Sequence, residues 1–396
     1  MTANILENID LKNLGKSLQQ ARKKCGMTQA DAAKIIDAVR TTIVAIEKGD
    51  RRLKPNELIK LARAYGANVS DFVRSNCISE PFQVQFRTTY RRNELEEIQV
   101  NPIVLRLEEL CRNYLELEKI MDSPLPRNYP QEYSINMVIE AVAENIAISE
   151  RQRLGLGDGP IPLLRDVLEQ CVGLRIFYVE MPSKYSGLYS YDDQLGGCIA
   201  INANHPEERR RWSLAHEYLH FLAHRRKSVV DYEEQYQRKP ESERLADLFP
   251  AYFLMPTSGL LKRFNDMYQS HGKFTPSNLF TLAHYYGVSL EALCSRLESM
   301  KLIPTGTWER LRDRGLKVHK VQQELGLDDI PQRSDMTPIH YQYLAIEALD
   351  RGLITEGCFA DFLGVDRLEA RRIAMSLNDF SITMIEENIH LDLCQA

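Results

Sequence analysis

The sequence lacks the marks of several protein classes. No uncharged apolar run approaches the roughly 18 residues that a membrane-spanning helix needs, so we expect no membrane segment. The first ten residues hold no basic stretch followed by an apolar one, so no secretory signal is expected. The eight cysteines are scattered without a Cys-x-x-Cys pair, which excludes a disulfide scaffold and a zinc ribbon. Together these absences predict a cytoplasmic protein with free thiols.

The composition is that of a globular protein with an uneven charge distribution. The chain has 396 residues, of which 44% are hydrophobic and 27% charged, and this length allows two to four domains of roughly 100–200 residues. The net charge is −5, but residues 1–76 hold 14 Lys and Arg against 8 Asp and Glu, a local charge of +6. A basic module on an acidic remainder predicts either an anionic partner or a merely solvated basic face.

Residues 11–76 have the apolar spacing of five short helices. Thr28, with Asp31 three residues later, predicts a capped start of the second helix. The third helix is predicted over Arg40–Lys48, and Gly49 follows it in the position that needs a left-handed backbone. Two short helices joined by a turn, inside a basic five-helix module, are the arrangement of a helix-turn-helix that binds DNA.

The third helix is the predicted recognition helix. Its isoleucines face the core, which leaves Arg40, Thr41 and Thr42 directed outward to contact base edges and phosphates. Gln29, at the start of the preceding helix, is expected to lie against the DNA backbone. These residues predict binding of double-stranded DNA, and a helix-turn-helix used only for protein contacts is the alternative.

The segment MTQADAAKIIDAVRTTIVAIEKGDRR resembles the Xre/Cro-type helix-turn-helix, and the likeness spans about 60 residues. That family usually has Gly in the turn, where this chain has Asp37, and a Ser or Thr cap on the recognition helix, where this chain has Val39. The resemblance implies the fold and a DNA partner, and the two departures bear on the affinity for DNA.

Residues 79–132 are predicted to be a linker that contains one amphipathic helix. Its apolar residues recur at alternating steps of four and three: Ile103, Leu107, Leu110, Tyr114, Leu117 and Met121. Such a seam can join two copies of the chain into a homodimer, since DNA readers of this kind usually bind two half-sites. It can equally belong to a helix that packs on its own protein, and the seam is too short to distinguish the two.

The motif with the most chemical content is His216-Glu217-x-x-His220, in a segment of helix-forming composition. Histidines four residues apart project from one face of a helix, so both imidazoles can reach one zinc ion at roughly 2.0–2.1 Å. Glu217 is turned by about 100° from its neighbour and can take a proton from a zinc-bound water. A catalytic zinc needs a third protein ligand. Glu243 and Asp247, which share a face of the next predicted helix, are the candidates.

This stretch resembles the ImmA/IrrE family of zinc metallopeptidases, whose motifs are a strand ending in I-x-I-N, then R-x-x-L-A-H-E-x-x-H, then E-x-x-A-D-x-F-A-x-x-L-L-M-P. In this sequence the motifs lie at Ile199–Asn202, Arg211–His220, Glu243–Phe249 and Leu254–Pro256. The likeness covers about residues 135–304 and implies a zincin-like fold. It also implies Glu243 as the third zinc ligand, with Asp247 orienting a ligand histidine.

Further residues near the motif suggest roles in catalysis. The strand Gly197–Asn202 is expected to offer an edge on which an extended substrate can pair. Cys198 lies on that strand, and its thiolate could occupy the open zinc position and inhibit the enzyme, or it could be a simply packed thiol. Tyr185, Tyr189 and Tyr191 lie nearby, and one of them could donate a hydrogen bond to an oxyanion.

The expected fold is mainly α with a small sheet (α+β), in four segments. They are a helix-turn-helix domain at 1–78, the linker at 79–132, a metallopeptidase domain at 133–304 and a helical C-terminal domain at 305–396. The last segment is not strongly basic, so a packing or partner role is favoured over a second DNA reader.

The leading hypothesis is a transcriptional regulator with Zn²⁺-dependent endopeptidase activity. Its substrate would be a protein, and the resemblance implies a repressor or antitoxin-like regulator in a stress or defence response. Two alternatives stay open: a non-catalytic regulator that uses the zinc domain as a sensor, and an antitoxin-type partner protein that acts by binding alone. Glu217 favours the first, because a structural zinc needs no general base and usually has four Cys or His ligands.

Overall fold

A computed structural model describes the chain over residues 11–65, 94–134, 138–227, 229–232, 240–315, 318–327 and 335–373, with the single positions 69, 72 and 82. The chain divides into two compact units, Met1–Ser79 and Glu80–Ala396. Within the described ranges the elements are mostly helices, with one four-stranded sheet in the second unit, which confirms the predicted α+β class. None of the described helices is long and apolar enough to cross a bilayer.

The first unit is a helix-turn-helix module with its own core. Its described helices are α1 (Leu11–Lys24), α2 (Gln29–Ile35), α3 (Arg40–Lys48) and α4 (Pro55–Ala64). The predicted capping box is present, since Thr28 and Asp31 each accept a hydrogen bond from the other's backbone amide. Gly49 ends α3 in the left-handed region, at a φ of 81°. The fifth helix, predicted after Ser70, lies outside the described residues apart from Phe72, which is buried in this core.

A buried ion pair holds α1 against α3. Arg22 Nε donates to Glu47 Oε1 at 2.6 Å, and the two side chains are only 8% and 3% exposed. Gln29 Nε2 donates to the same carboxylate at 2.9 Å, which adds α2 to the network. A charge pair removed from water is tolerated only when its hydrogen bonds are made, so this network fixes how the three helices pack.

The turn between α2 and α3 contains Asp37 in a left-handed backbone conformation, with a φ of 54°. Glycine enters this region without steric cost, and Asp enters it more readily than most residues because its short polar side chain can bond locally. Asp37 can therefore stand where the Xre/Cro-type turn usually has Gly. Its carboxylate lies 3.2 Å from Nζ of Lys60 on α4.

The second unit surrounds the sheet. The strands are β1 (Arg175–Val179), β2 (Tyr185–Asp192), β3 (Gly196–Asn202) and β4 (Val229–Tyr232). Their order is β1-β3-β2-β4, with β1 parallel to β3 and the other neighbours antiparallel. The strand that contains Gly197–Asn202 is thus an inner one. The prediction that it offers a free edge to a substrate is wrong, because both of its sides are already paired.

Helices cover both faces of this sheet. In chain order they are α5 (Glu94–Met121), α6 (Ile139–Arg153), α7 (Leu164–Val167, continued by a wider turn over Leu168–Val172), α8 (Glu207–Ala223), α9 (Glu241–Leu254), α10 (Thr257–His271), α11 (Pro276–Tyr286), α12 (Leu290–Ser299), α13 (Thr307–Asp313), α14 (Val318–Glu324), α15 (Ile339–Asp350) and α16 (Glu356–Leu363). Side chains alternate along β3, so Ile199 and Ile201 share one core with α6 to α12. Cys198 and Ala200 share the other core with α5, α15 and α16.

The helix of the predicted linker, α5, belongs to this second core. Its seam residues are buried against β1, β3 and α15: Ile103, Leu107, Leu110, Tyr114 and Leu117. Of the two alternatives for the heptad pattern, the structure therefore shows the helix packed on its own protein. A homodimer cannot form through this seam while the chain itself covers it. The C-terminal helices α15 and α16 likewise have a packing role in the same core.

Candidate metal centre

The HExxH motif lies on α8, which crosses the face of the sheet formed by Ile199 and Ile201. The first turn of α8 contains Glu207 and Glu208, whose negative charges interact favourably with the positive end of the helix dipole. The helix ends at Ala223, so the motif occupies its last two turns. Most of α8 is buried, and its orientation is therefore fixed by packing on both the sheet and α9.

His216, His220 and Glu243 bring three ligand atoms together. His216 Nε2 lies 3.2 Å from His220 Nε2, and Glu243 Oε2 lies 3.6 Å from each of these nitrogens. A tetrahedral zinc with ligands at about 2.0–2.1 Å separates neighbouring ligand atoms by about 3.3–3.4 Å. The triangle therefore has the size that this ion requires. It is the one His, Cys, Asp and Glu group found to be suited to a metal among the described residues.

The electrostatics of the triangle suit a divalent cation. His216 and His220 are buried, and the side chain of Glu243 is 19% exposed. Burial alone would raise the pKa of Glu243, but the facing imidazoles of the two histidines outweigh it and hold that pKa well below its usual range. Two imidazoles and one ionised carboxylate are ligands of the types that zinc binds. Catalytic zinc sites usually have three protein ligands, as here.

The predicted site has two further acidic residues, Asp247 on α9 and Glu217 on α8. Asp247 is one turn beyond Glu243 on α9, and its Oδ1 lies 3.5 Å from His216 Nδ1, the ring nitrogen that does not belong to the triangle. Glu217 is fully buried between α8 and β2, with its carboxylate directed at Gly187. The spacing of the sequence did not distinguish Glu243 from Asp247, whereas the structure brings only Glu243 to both histidines.

Cys198 does not face the metal ligands. It is fully buried in the core on the opposite side of the sheet from α8, where it packs with Cys111 of α5. The alternation along β3 directs Ile199, and not Cys198, toward α8. The prediction of an inhibitory thiol is therefore wrong, and the packed thiol is what the structure shows. Among the nearby tyrosines, Tyr189 donates its hydroxyl to the Arg225 carbonyl at 2.6 Å and is committed to the core.

The predicted DNA contacts lie together on the first unit. Arg40 and Thr41 are exposed at the start of α3, and Thr42 is half-buried. Arg40 Nε lies 3.4 Å from Gln29 Oε1, so the recognition helix and the start of α2 present adjoining polar groups. Val39, which precedes α3, is 67% exposed and makes no side-chain cap.

Comparison with known proteins identifies a domain in each unit. Residues 18–72 match the helix-turn-helix family model, and residues 169–298 match the peptidase M78 model, described as an IrrE N-terminal-like domain. The comparison with curated proteins found no match. The crystal structure of ComR from Streptococcus suis aligns with 96% of this chain and 92% of that chain, at 12% identity and a TM-score of 0.16. The two family matches confirm the predicted fusion of a helix-turn-helix domain with an IrrE-like domain.

Proposed function

We propose that the chain is a DNA-binding transcriptional regulator whose second unit is a Zn²⁺-dependent endopeptidase. The observation that carries the proposal is the meeting of His216, His220 and Glu243 at zinc spacing, and the buried Glu217 follows His216 directly on α8. A structural zinc site needs no such carboxylate and is usually closed by four Cys or His ligands. The helix-turn-helix match supports the DNA-binding half, and the IrrE-like match supports the peptidase half.

The proposed mechanism assigns a separate role to each acidic residue. His216, His220 and Glu243 would hold Zn²⁺, which supplies a Lewis acid for the peptide carbonyl and lowers the pKa of water at the site to about 7. Glu217 takes the proton of the attacking water and delivers it to the leaving amine. Asp247, 3.5 Å from His216 Nδ1, would orient that imidazole so that Nε2 stays directed at the side chains of His220 and Glu243, which would hold the metal with it.

The substrate is proposed to be a protein segment that pairs with the edge of β4. The outer edge of β1 is partly occupied, because the amide of Tyr178 donates to the Met336 carbonyl at 2.9 Å. Within the described ranges β4 pairs with β2, where Asp231 is the partner of Gly187 beside Glu217. An extended peptide on the outer edge of β4 would thus run level with Gly187, one strand beyond β4 and about 10 Å from β2. The resemblance to the ImmA/IrrE family implies a repressor or antitoxin-like regulator as that protein.

The DNA-binding half is proposed to use α3 as its recognition helix. Arg40, Thr41 and Thr42 would contact base edges and phosphates, and Gln29 would contact the backbone. A regulator of this design carries its peptidase to the gene that it controls. We also propose that it acts in the cytoplasm, where DNA and the substrate are both accessible.

Metal content and cleavage test the proposal together. The full chain, purified without added metal, should hold about one zinc, which His216→Ala and Glu243→Ala should lose and Glu217→Gln should keep. Asp247→Asn should weaken zinc affinity by about 10- to 100-fold. The Glu217→Gln chain then serves as bait for the substrate, which the wild type should cleave and this variant should not.

The outcomes discriminate between the alternatives. If the wild type binds no zinc even when zinc is supplied, the peptidase proposal fails and a regulator without catalysis replaces it. If the wild type binds zinc but does not cleave the captured partner, the zinc domain is a sensor or a binding scaffold.

A further inference from the structure

We propose that Gly187 is the residue that positions the carboxylate of Glu217. The two residues face each other between β2 and α8. A Cβ atom built on Gly187 would lie 2.5 Å from Glu217 Oε1, 2.9 Å from its Cγ and 3.1 Å from its Cδ. Non-bonded carbon atoms pack at about 3.5–4.0 Å. Any side chain at position 187 would therefore overlap with Glu217 in its present position.

The φ angle of Gly187 does not require a glycine. Gly187 is not among the glycines with a positive φ, so an L-amino acid fits its conformation. It lies within the ladder, opposite Ile201 on β3 and Asp231 on β4. Glycine weakens a strand interior and often marks a bulge or a close approach, and the pairing of β2 with β4 does shift in register between Tyr185 and Gly187. Here the group that approaches is the Glu217 side chain, and the missing Cβ is the space that the carboxylate uses.

The fit leaves Glu217 little freedom. The side chain is fully buried, so its carboxylate cannot move into solvent when Gly187 is enlarged. It would have to shift by about 1 Å to restore ordinary contact distances. A general base must lie within about 2.6–3.2 Å of the proton that it takes. Because the three atoms nearest to a Cβ at Gly187 all belong to Glu217, Gly187→Ala should impair proton transfer while His216, His220 and Glu243 still bind zinc.

Gly197 on β3 provides a matched control. It also has no positive φ, and its Cβ would lie 2.5 Å from Leu174 Cδ2 and 3.0 Å from a ring carbon of Phe221. Gly197→Ala thus crowds the same sheet to the same degree, but against hydrocarbon and not against Glu217. If crowding of the sheet is what matters, Gly187→Ala and Gly197→Ala should have the same effect. If displacement of Glu217 is what matters, only Gly187→Ala should show it.

The test is a double-mutant cycle in thermal unfolding of the zinc-loaded full chain. Gly187→Ala should lower Tm by about 2–6 °C when Glu217 is present, and by much less when Glu217→Ala has removed the carboxylate. Gly197→Ala should lower Tm equally in both backgrounds. Zinc content should stay at about one per chain in all of these variants.

The catalytic part of the inference rests on the proposed function and has its own readout. With the cleaved partner as substrate, Gly187→Ala should reduce kcat at least tenfold with KM near the wild-type value, and Gly197→Ala should not. An equal loss of Tm from Gly187→Ala in both backgrounds, or loss of zinc from this variant, overturns the inference. If the wild type cleaves nothing, the peptidase proposal fails, and the Tm cycle still decides whether Gly187 positions Glu217.

Discussion

Replacing Glu169 by Gln tests a buried carboxylate that joins three parts of the second unit. Glu169 lies in the wider turn after α7 and is fully buried. Its Oε1 accepts a hydrogen bond of 2.6 Å from the hydroxyl of Tyr114 on α5, and the same hydroxyl lies 2.9 Å from Nδ1 of His340 on α15. One buried hydroxyl thus connects the helix of the predicted linker, the IrrE-like domain and the C-terminal helices.

The magnitude follows from the proton affinity of this carboxylate. Burial raises the pKa of Glu169 from 4.5 to about 7, although the hydrogen bond from Tyr114 and the charge of Arg165 act in the opposite direction. Because the folded-state pKa is the higher one, the stabilisation is complete below pH 4.5 and is lost as the pH rises through 7. A gap of about 2.5 between the two pKa values corresponds to about 3 kcal/mol. Glutamine stays neutral and does not lose this contribution.

The assay is urea unfolding at pH 5 and pH 8, followed by tryptophan fluorescence. Trp212 and Trp308, the two tryptophans of the chain, both lie in the second unit. Relative to the wild type, Glu169→Gln should change the free energy of unfolding little at pH 5 and raise it by about 2–3 kcal/mol at pH 8. Comparing variants at one pH cancels the titration of other groups. The control is Glu150→Gln, which breaks a buried ion pair with Arg153 and should destabilise the protein at both pH values.

The result that refutes this reasoning is a difference between Glu169→Gln and wild type that is the same at pH 5 and pH 8. In that case burial at this site does not make the carboxylate bind its proton more tightly in the folded chain. A loss of stability at both pH values would show instead that Glu169 is held as a charged acceptor by Tyr114.

Three further predictions concern the stability of the two units. Glu47→Ala leaves the buried Arg22 without its partner, so calorimetry should show that the free energy of unfolding of the first unit falls by about 3–5 kcal/mol. Gel shifts should show a loss of DNA binding, and a change in stability below about 1 kcal/mol would contradict the prediction. Asp37→Gly removes the steric strain of a side chain in a left-handed backbone conformation and should stabilise the first unit by about 0.5–1 kcal/mol. The exposed ion pair with Lys60 that is lost contributes little, and a lower Tm would be the contrary result. Leu107→Ala should lower the free energy of unfolding of the second unit by about 2–5 kcal/mol, because it leaves a cavity in the core. Light scattering should show no change of oligomeric state, whereas dissociation of a dimer would show that the seam joins two chains.

The sequence by itself determined the features that depend on near neighbours in the chain. The capped start of α2 at Thr28 and the end of α3 at Gly49 were predictable, because capping involves residues within one turn. The same holds for His216 and His220, whose four-residue spacing places both rings on one face of α8. The spacing alone left the third ligand as a choice between two residues on one face of α9, and the family resemblance favoured Glu243.

Only the tertiary structure decided what covers each surface. The packing of α9 on α8 brings Glu243, and not Asp247, to both histidines. The strand order makes β3 an inner strand and directs Cys198 away from the metal ligands, and the heptad seam of α5 is covered by the chain's own sheet. A periodic pattern reports which side of an element is apolar, but the partner that buries this side is set by contacts between residues far apart in sequence.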